Sequence, residues 1–222
     1  MTTLGPYDLN TIITGDAREL AKAIPDESVE LIFTDPVYDR IDDYRWLAET
    51  AARVLKPNSA CLVWAGVDRL NKCINAVGYE LDYCWLLTLF KTQYTGSTLI
   101  QSINIVSKQD HCIWFNKGRF KPNNLIWDVA VGKNLGRIYR GFKWNKDPGA
   151  LLRYTNAFSN LDAIIFDPFT GGGTVPAVCK MLHRNYLAFE IDPATADMAR
   201  KRVAETQPPL PIVYHEQMEL LT

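Results

Sequence analysis

The nine residues Phe166 to Thr174, FDPFTGGGT, constrain this chain more than any other segment. The apolar run Ala163 to Phe166 predicts a buried parallel strand that ends on Asp167. The loop Gly171-Gly172-Gly173 then opens a helix predicted over Thr174 to Leu182, and a second strand, YLAFE, ends on Glu190. This is the layout of a cofactor site in a doubly wound α/β fold. Glycines let the backbone approach a ligand closely. An acid at the tip of the second strand can accept hydrogen bonds from both hydroxyls of a ribose.

The residues narrow the ligand. A dinucleotide fingerprint places a third glycine three positions after the second, where this chain has Pro176. A phosphate-binding P-loop requires Gly-Lys-Ser/Thr, whereas Gly173 is followed by Thr174 and Val175. The common ligand left for this layout is S-adenosylmethionine, which has a ribose, an adenine and an amino-acid end but no phosphate. Taken alone, the segment also fits an ordinary strand-turn-helix whose glycines serve tight packing.

A second motif lies far away, in VELIFTDPVYD at Val29 to Asp39. Val29 to Phe33 predicts a short strand running into Asp35-Pro36-Val37-Tyr38. Those four residues suit chemistry on a flat heterocycle with an exocyclic amine. Asp35 can accept one amine N–H and the Pro36 carbonyl the other, with the proline ring fixing the backbone. Tyr38 can stack on a base, as aromatic pockets do for extruded nucleotides. An Asp-Pro turn after a strand is the plainer alternative.

Together the two motifs resemble those of the amino-methylating DNA methyltransferases, which act on adenine N6 or cytosine N4. The likeness is to the subgroup with the catalytic motif early and the cofactor motif late. DPVY is similar to the family's D-P-P-Y, and FDPFTGGGT to its D-P-F-x-G-x-G-T. The resemblance covers most of the chain: Ile13 to Tyr38 with its Gly15-Asp16 pair, HCIWFNKG (His111 to Gly118), Lys146 leading ALLRYTNAFSN, and RVAETQPPL. It implies an α/β, Rossmann-like S-adenosylmethionine-dependent methyltransferase fold, with a mixed, mostly parallel sheet and helices on both faces. It implies catalysis by Asp35, Pro36 and Tyr38. Asp16, Lys146, Asp167, Phe169, Gly171, Gly173, Thr174 and Glu190 are the implied S-adenosylmethionine-binding set, with no metal. Three departures stand out: Val37 replaces the second proline, Asp147 follows Lys146 where the family has proline, and the histidine often found before that lysine is absent.

Length and charge fit this picture. The 222 residues suit one domain, 1–222. Net charge is only −1, but it is unevenly spread. The segment 91–146 holds ten basic residues against two acidic, a net of +8, and the remainder 14 against 23. A basic segment beside an acidic scaffold is the expected footprint of a polyanion partner. The segment also carries Tyr94, Trp114, Phe115, Phe120, Trp127, Tyr139, Phe142 and Trp144, with Trp114 expected in the core and the RIYRGFKW aromatics able to stack on bases. It is therefore the expected DNA-recognition region; a solvated basic loop over tucked aromatics is the alternative.

No apolar run reaches 18 residues, so no membrane span is predicted. MTTLGPYDLN has neither the basic start nor the apolar core of a secretory signal, and five unpatterned cysteines suit buried thiols in a reducing cytoplasm. The three histidines show no ligand spacing, and His183 is expected on the surface.

Further elements are predicted as follows: a strand end and short helix within Ile12 to Ile24, helix Tyr44 to Val54, strand Ala60 to Trp64, helix Val67 to Val77, strand Tyr83 to Phe90, strand His111 to Phe115 and helix Ala150 to Phe158. Lys91 to Lys108 is expected to be a polar connection serving as a recognition loop or lid, and Phe120 to Trp144 irregular.

The expected activity is methylation of adenine N6 in double-stranded DNA with the target base flipped out, since aspartate at position 35 is more typical of adenine enzymes. Cytosine N4, a non-catalytic nucleic-acid binder and a nicotinamide-dependent dehydrogenase are the alternatives. A recognition region this small implies a short site, relaxed specificity or a homodimer that shares the work.

Overall fold

The computed structural model describes residues 2–91, 98–100, 104–132 and 148–207. The chain enters with a tight hairpin, β1 (Thr3–Leu4) and β2 (Tyr7–Asp8). Then come β3 (Thr11–Thr14), α1 (Ala17–Leu20), β4 (Val29–Thr34), α2 (Ile41–Val54), β5 (Leu55–Ala65), α3 (Leu70–Val77) and β6 (Asp82–Lys91). A short antiparallel pair, β7 (Thr98–Ile100) and β8 (Ile105–Ser107), leads into β9 (Gln109–Lys117). After β10 (Val129–Gly132) helices and strands alternate: α4 (Pro148–Phe158), β11 (Ile164–Asp167), α5 (Thr174–Met181), β12 (Asn185–Glu190) and α6 (Pro193–Glu205).

Eight strands form one sheet in the order β10-β6-β9-β5-β4-β11-β12-β3. All run parallel except β9, which is antiparallel to both β5 and β6. The sheet's two halves meet at β4 and β11, where Ile165 lies opposite Leu31 and Phe166 opposite Ile32. From β4 the chain winds outward to β5, and from β11 it winds the other way to β12. The crevice between the C-terminal ends of β4 and β11 is therefore a topological switch point, where doubly wound sheets bind their ligands.

Strand periodicity divides the core. Leu31, Phe33, Leu62, Trp64 and Ile165 face α4, α5 and α6, whereas Val29, Ile32, Cys61, Val63 and Phe166 face α1, α2 and α3. With both faces covered, the central strands are nearly continuous apolar runs. The arrangement is the mixed, mostly parallel sheet with helices on both faces that the sequence predicts.

Four details correct the sequence reading. The connection Lys91 to Lys108 contains the β7–β8 pair, and the stretch Phe120 to Trp144 contains β10, which extends the sheet by pairing with β6. All three strands are shorter than a periodic pattern needs to declare itself. Helix α2 begins at Ile41 rather than Tyr44, because its first turn carries Asp42 and Asp43, acids that favour a helix N-terminus without adding apolar period. Helix α6 carries no prediction. It is capped by Asp192, which accepts from Thr195 N at 2.8 Å, and starts on Pro193. Its buried stripe is Ala196, Ala199, Arg202 and Val203, a weak hydrophobic signal.

Candidate active site

The loop after β4 begins on Thr34, which is buried, and continues through Asp35, buried Pro36, Val37 and Tyr38. Val37 is 56 % exposed. Its carbonyl accepts from Arg40 N at 3.1 Å, which turns the loop back into α2. The Tyr38 hydroxyl bonds to Asp35, and burial, with the Asp35 and Asp110 carboxylates nearby, holds the phenol protonated far above its ordinary range. Its ring lies against Gly66, just beyond β5. A Cβ there would come within 3.0 Å of Tyr38 Cδ2, so only glycine admits the ring without a shift.

The glycine loop meets this loop directly. Thr34 Oγ1 donates to Asp167 Oδ1 at 2.7 Å, and Phe169 N donates to the same oxygen at 3.3 Å. Asp167 is 2 % exposed. Burial pushes its carboxyl up to about 7; the Thr34 hydrogen bond pulls the other way, and the Asp35 charge adds to the rise.

The glycines differ in purpose. Gly171 has φ +48°, and a Cβ built on it meets nothing within 4 Å among the described residues, so among these its backbone faces open space. Gly173 has φ +73° and opens α5; its Cβ would lie 2.9 Å from Ala199 Cβ, so here glycine lets α5 pack on α6. Arg202, buried on α6, donates through Nη1 to Gly172 O at 3.0 Å and to Thr174 Oγ1 at 2.8 Å. The loop is thus braced from behind.

At the tip of β12, Glu190 accepts from Gly171 N through Oε2 and from Asp192 N through Oε1, each at 2.9 Å. Its carbonyl accepts from Gly15 N at 2.9 Å, bringing the Gly15-Asp16 turn alongside. Asp16 is exposed and caps α1, accepting from Arg18 N at 2.8 Å. Phe169 packs edge-on against Trp46, centroids 5.6 Å apart.

The structure therefore gathers Asp16, Asp35, Pro36, Tyr38, Asp167, Phe169, Gly171, Gly173, Thr174 and Glu190 around the C-terminal ends of adjacent strands. Lys146 lies outside the described residues, as do Lys133, Arg137, Tyr139, Arg140, Phe142, Lys143 and Trp144 of the basic segment, and Tyr94. Among the described basic residues, Lys91 pairs with Asp110 at 2.7 Å. Lys117 sits at the opposite end of the sheet, bonded to Leu55 O at 2.7 Å and Glu27 at 3.2 Å. Trp114 packs in the core, edge-on to Phe158 at 4.8 Å, while Trp127 is 70 % exposed.

Sequence reasoning missed Thr34, Asp43, Trp46 and Arg202. Arg202 left one signal: it falls on the apolar stripe of α6 with Ala196, Ala199 and Val203, where a charge needs an explanation. His183 is exposed, whereas His111 is buried beside Thr88 Oγ1 at 3.3 Å. Cys61, Cys73, Cys112 and Cys179 are buried. Among the described residues no group of three or more His, Cys, Asp or Glu could hold a metal, and no helix is long and apolar enough to cross a membrane.

The sheet order and the loops at its switch point define the Rossmann-like S-adenosylmethionine-dependent methyltransferase fold. The crystal structure of the M1.HpyAVI–SAM complex superposes with a TM-score of 0.74, at 20 % identity over 87 % of this chain and 98 % of that one. PvuII DNA methyltransferase, cytosine-N4-specific, gives 0.73 at 16 % identity over 100 % of this chain and 94 % of that one. In sequence, the type II methyltransferase M.HinfI of Haemophilus influenzae is 24 % identical over 252 aligned residues, covering 90 % of this chain and 70 % of the relative. Residues 126–201 match the N6/N4 methyltransferase family model, described as DNA methylase, a stretch that contains the glycine loop and Glu190. The chain is thus similar to the amino-methylating DNA methyltransferases, through the family model in its C-terminal part and through the type II relatives over most of its length.

Proposed function

We propose that this protein methylates adenine N6 in DNA, using S-adenosylmethionine. The observation that carries the proposal is the seating of Asp35 and Tyr38 directly beside the glycine loop, through the Thr34–Asp167 hydrogen bond.

The residues present fit the cofactor. Gly171 offers its backbone to open space, and Glu190, at a strand tip, is pre-oriented by two backbone amides. In this reading Glu190 takes the ribose hydroxyls, and Asp16 and Phe169 flank the nucleoside. Asp167, Gly173 and Thr174 shape the loop, and Lys146 contributes from the segment before α4. When bound, S-adenosylmethionine supplies an electrophilic sulfonium methyl group.

The protein's own part is orientation and electrostatics. An exocyclic amine is a poor nucleophile because its lone pair is delocalised into the ring. Asp35 accepts one N–H and the Pro36 carbonyl the other, which favours a tetrahedral nitrogen whose lone pair points at the methyl carbon. Asp35 would stabilise the positive charge that develops on the nitrogen as it takes the methyl group that bound S-adenosylmethionine would supply, with the thioether as leaving group. The amine becomes acidic only after transfer, so Asp35 receives its proton without being a strong base. Tyr38, bonded to Asp35 and packed on Gly66, holds the carboxylate in place and offers its ring to a base extruded from the duplex. A homodimer that shares recognition belongs to the same proposal.

Cytosine N4 is the second reading, favoured by the fold similarity to the cytosine-N4-specific PvuII enzyme. The test is incubation with labelled S-adenosylmethionine and unmethylated bacterial DNA, followed by mass spectrometry of nucleosides, with Asp35→Ala in parallel. Label in N6-methyladenine that Asp35→Ala abolishes is the expected result. Label in N4-methylcytosine would exchange the substrate and keep the mechanism; no label would end the proposal.

A further inference from the structure

Asp43 lies in the first turn of α2 and is 3 % exposed, yet it is a carboxylate. It is held by two arginines from different elements: Arg18 of α1, through Nη2 at 2.7 Å, and Arg40, just before α2, through Nε at 3.2 Å. Each arginine's residue is tied further. The backbone N–H of Arg40 donates to Val37 O at 3.1 Å, closing the catalytic loop. The backbone N–H of Arg18 donates to Asp16 at 2.8 Å, and the Arg18 guanidinium lies 5.9 Å from the centre of the Trp46 ring, which in turn abuts Phe169 of the glycine loop. One buried carboxylate is thus linked through Arg18 to α1 and the Gly15-Asp16 turn, and through Arg40 to the loop after β4, with the glycine loop reached by way of Trp46.

Stability alone does not account for a charge at this position. Burying a carboxylate costs several kcal/mol before its partners offset it, and an apolar residue of similar size is often as good. The same helix turns Tyr44 and Leu47 into the core. What an apolar residue cannot do is hold two guanidinium groups at set distances. The catalytic loop has particular need of such a hold. It carries one proline, Pro36, and its next residue is the exposed Val37, whose φ no ring restricts.

We propose that Asp43 is a positioning residue that registers the catalytic loop, through Arg40, against the cofactor-side turn, through Arg18. This inference rests on the functional reading above. It assigns the two arms different kinetic signatures. Arg40→Met lowers kcat roughly tenfold, short of the hundredfold that a full ångström of misplacement can cost, and leaves cofactor affinity unchanged. Arg18→Met weakens cofactor binding several-fold and leaves kcat at saturating cofactor close to wild type. Asp43→Asn shows both losses. Val37→Pro, which restricts the loop by a different means, restores most of the rate in the Arg40→Met background, a non-additivity that a purely structural helix cap does not produce.

The experiment measures single-turnover methyl transfer and, by calorimetry, S-adenosylmethionine affinity for the wild type, the three single variants and the Val37→Pro/Arg40→Met pair. If Asp43→Asn fails to fold, the two arginine variants carry the test, since both side chains reach the surface. Full rate in Arg40→Met, a loss that Val37→Pro leaves untouched, or wild-type cofactor affinity in Arg18→Met overturns the proposal. A wild type that binds the cofactor but transfers no methyl group overturns the functional reading instead. The positioning role is then judged on the Arg18→Met affinity alone.

Discussion

Thr34 and Asp167 stand 133 positions apart in the chain, and a 2.7 Å hydrogen bond joins their side chains inside the protein. They are the last residues of neighbouring strands, β4 and β11, one leading to the loop that carries Asp35 and Tyr38 and the other to the glycine loop. The bond ties the starts of the two loops together. Thr34→Val keeps the shape and removes the donor, leaving a buried carboxyl short of a partner. The expected cost is about 1–3 kcal/mol of unfolding free energy. Urea denaturation measures it, and an unchanged midpoint would contradict the assignment.

Asp167 also makes stability depend on pH. Its carboxyl, ordinarily near 3.8, is pushed up to about 7 by burial. Between those values the folded protein binds more protons here than the unfolded chain does. The contribution to stability is therefore complete below the lower value and fades as pH rises through the upper one. Asp167→Asn keeps an acceptor for Thr34 and removes the titration. The expected outcome is that wild type loses stability relative to this variant from about pH 4 to about pH 7, on the order of a few kcal/mol. Parallel denaturation curves at several pH values decide it; a constant difference would place the carboxyl's titration elsewhere.

Tyr38→Phe removes the hydroxyl bonded to Asp35 and leaves the ring on Gly66. A hydrogen bond to a carboxylate of this kind is worth about 1.5–3 kcal/mol, so single-turnover methyl transfer should slow by roughly tenfold or more. Tyr38→Ala, which also removes the ring, should additionally weaken DNA binding. Equal rates for wild type and Tyr38→Phe would show that the hydroxyl has no part in holding Asp35.

The two positive-φ glycines of the loop should separate in their effects. Gly173→Ala drives a methyl into Ala199 at 2.9 Å, and the expected loss is about 2 kcal/mol or more of stability. Gly171→Ala has free space around its methyl, so the strain of φ +48° limits the loss to about 1 kcal/mol, while cofactor affinity falls because the methyl occupies the approach to the backbone. Thermal melts and cofactor titration of both variants read the contrast. Gly171→Ala with undiminished affinity would remove that glycine from the cofactor site.

Much of the site was legible because its signals are local. A buried strand ends where its apolar run ends, so Asp35, Asp167 and Glu190 could be recognised as strand-tip acids from a few neighbours each. Glycines that open a helix and a proline that stiffens a loop are equally short-range features. The basic segment was legible only as composition. Lys117 shows the weakness of that measure: it counts towards the positive charge, yet it serves Leu55 and Glu27 at the far end of the sheet.

The sequence by itself determined the class of fold, the order of the two motifs and the residue types at each strand tip, because periodicity and turn chemistry act over a few residues. Tertiary structure alone decided that β4 and β11 are neighbours, that Thr34 bonds Asp167, that Gly173 serves packing while Gly171 faces open space, that Arg18 pairs with Asp43 and that Arg202 braces the glycine loop from α6. These facts depend on which surfaces meet once the sheet is wound. Contacts between residues 25 to 133 positions apart leave no periodic trace in the chain that makes them.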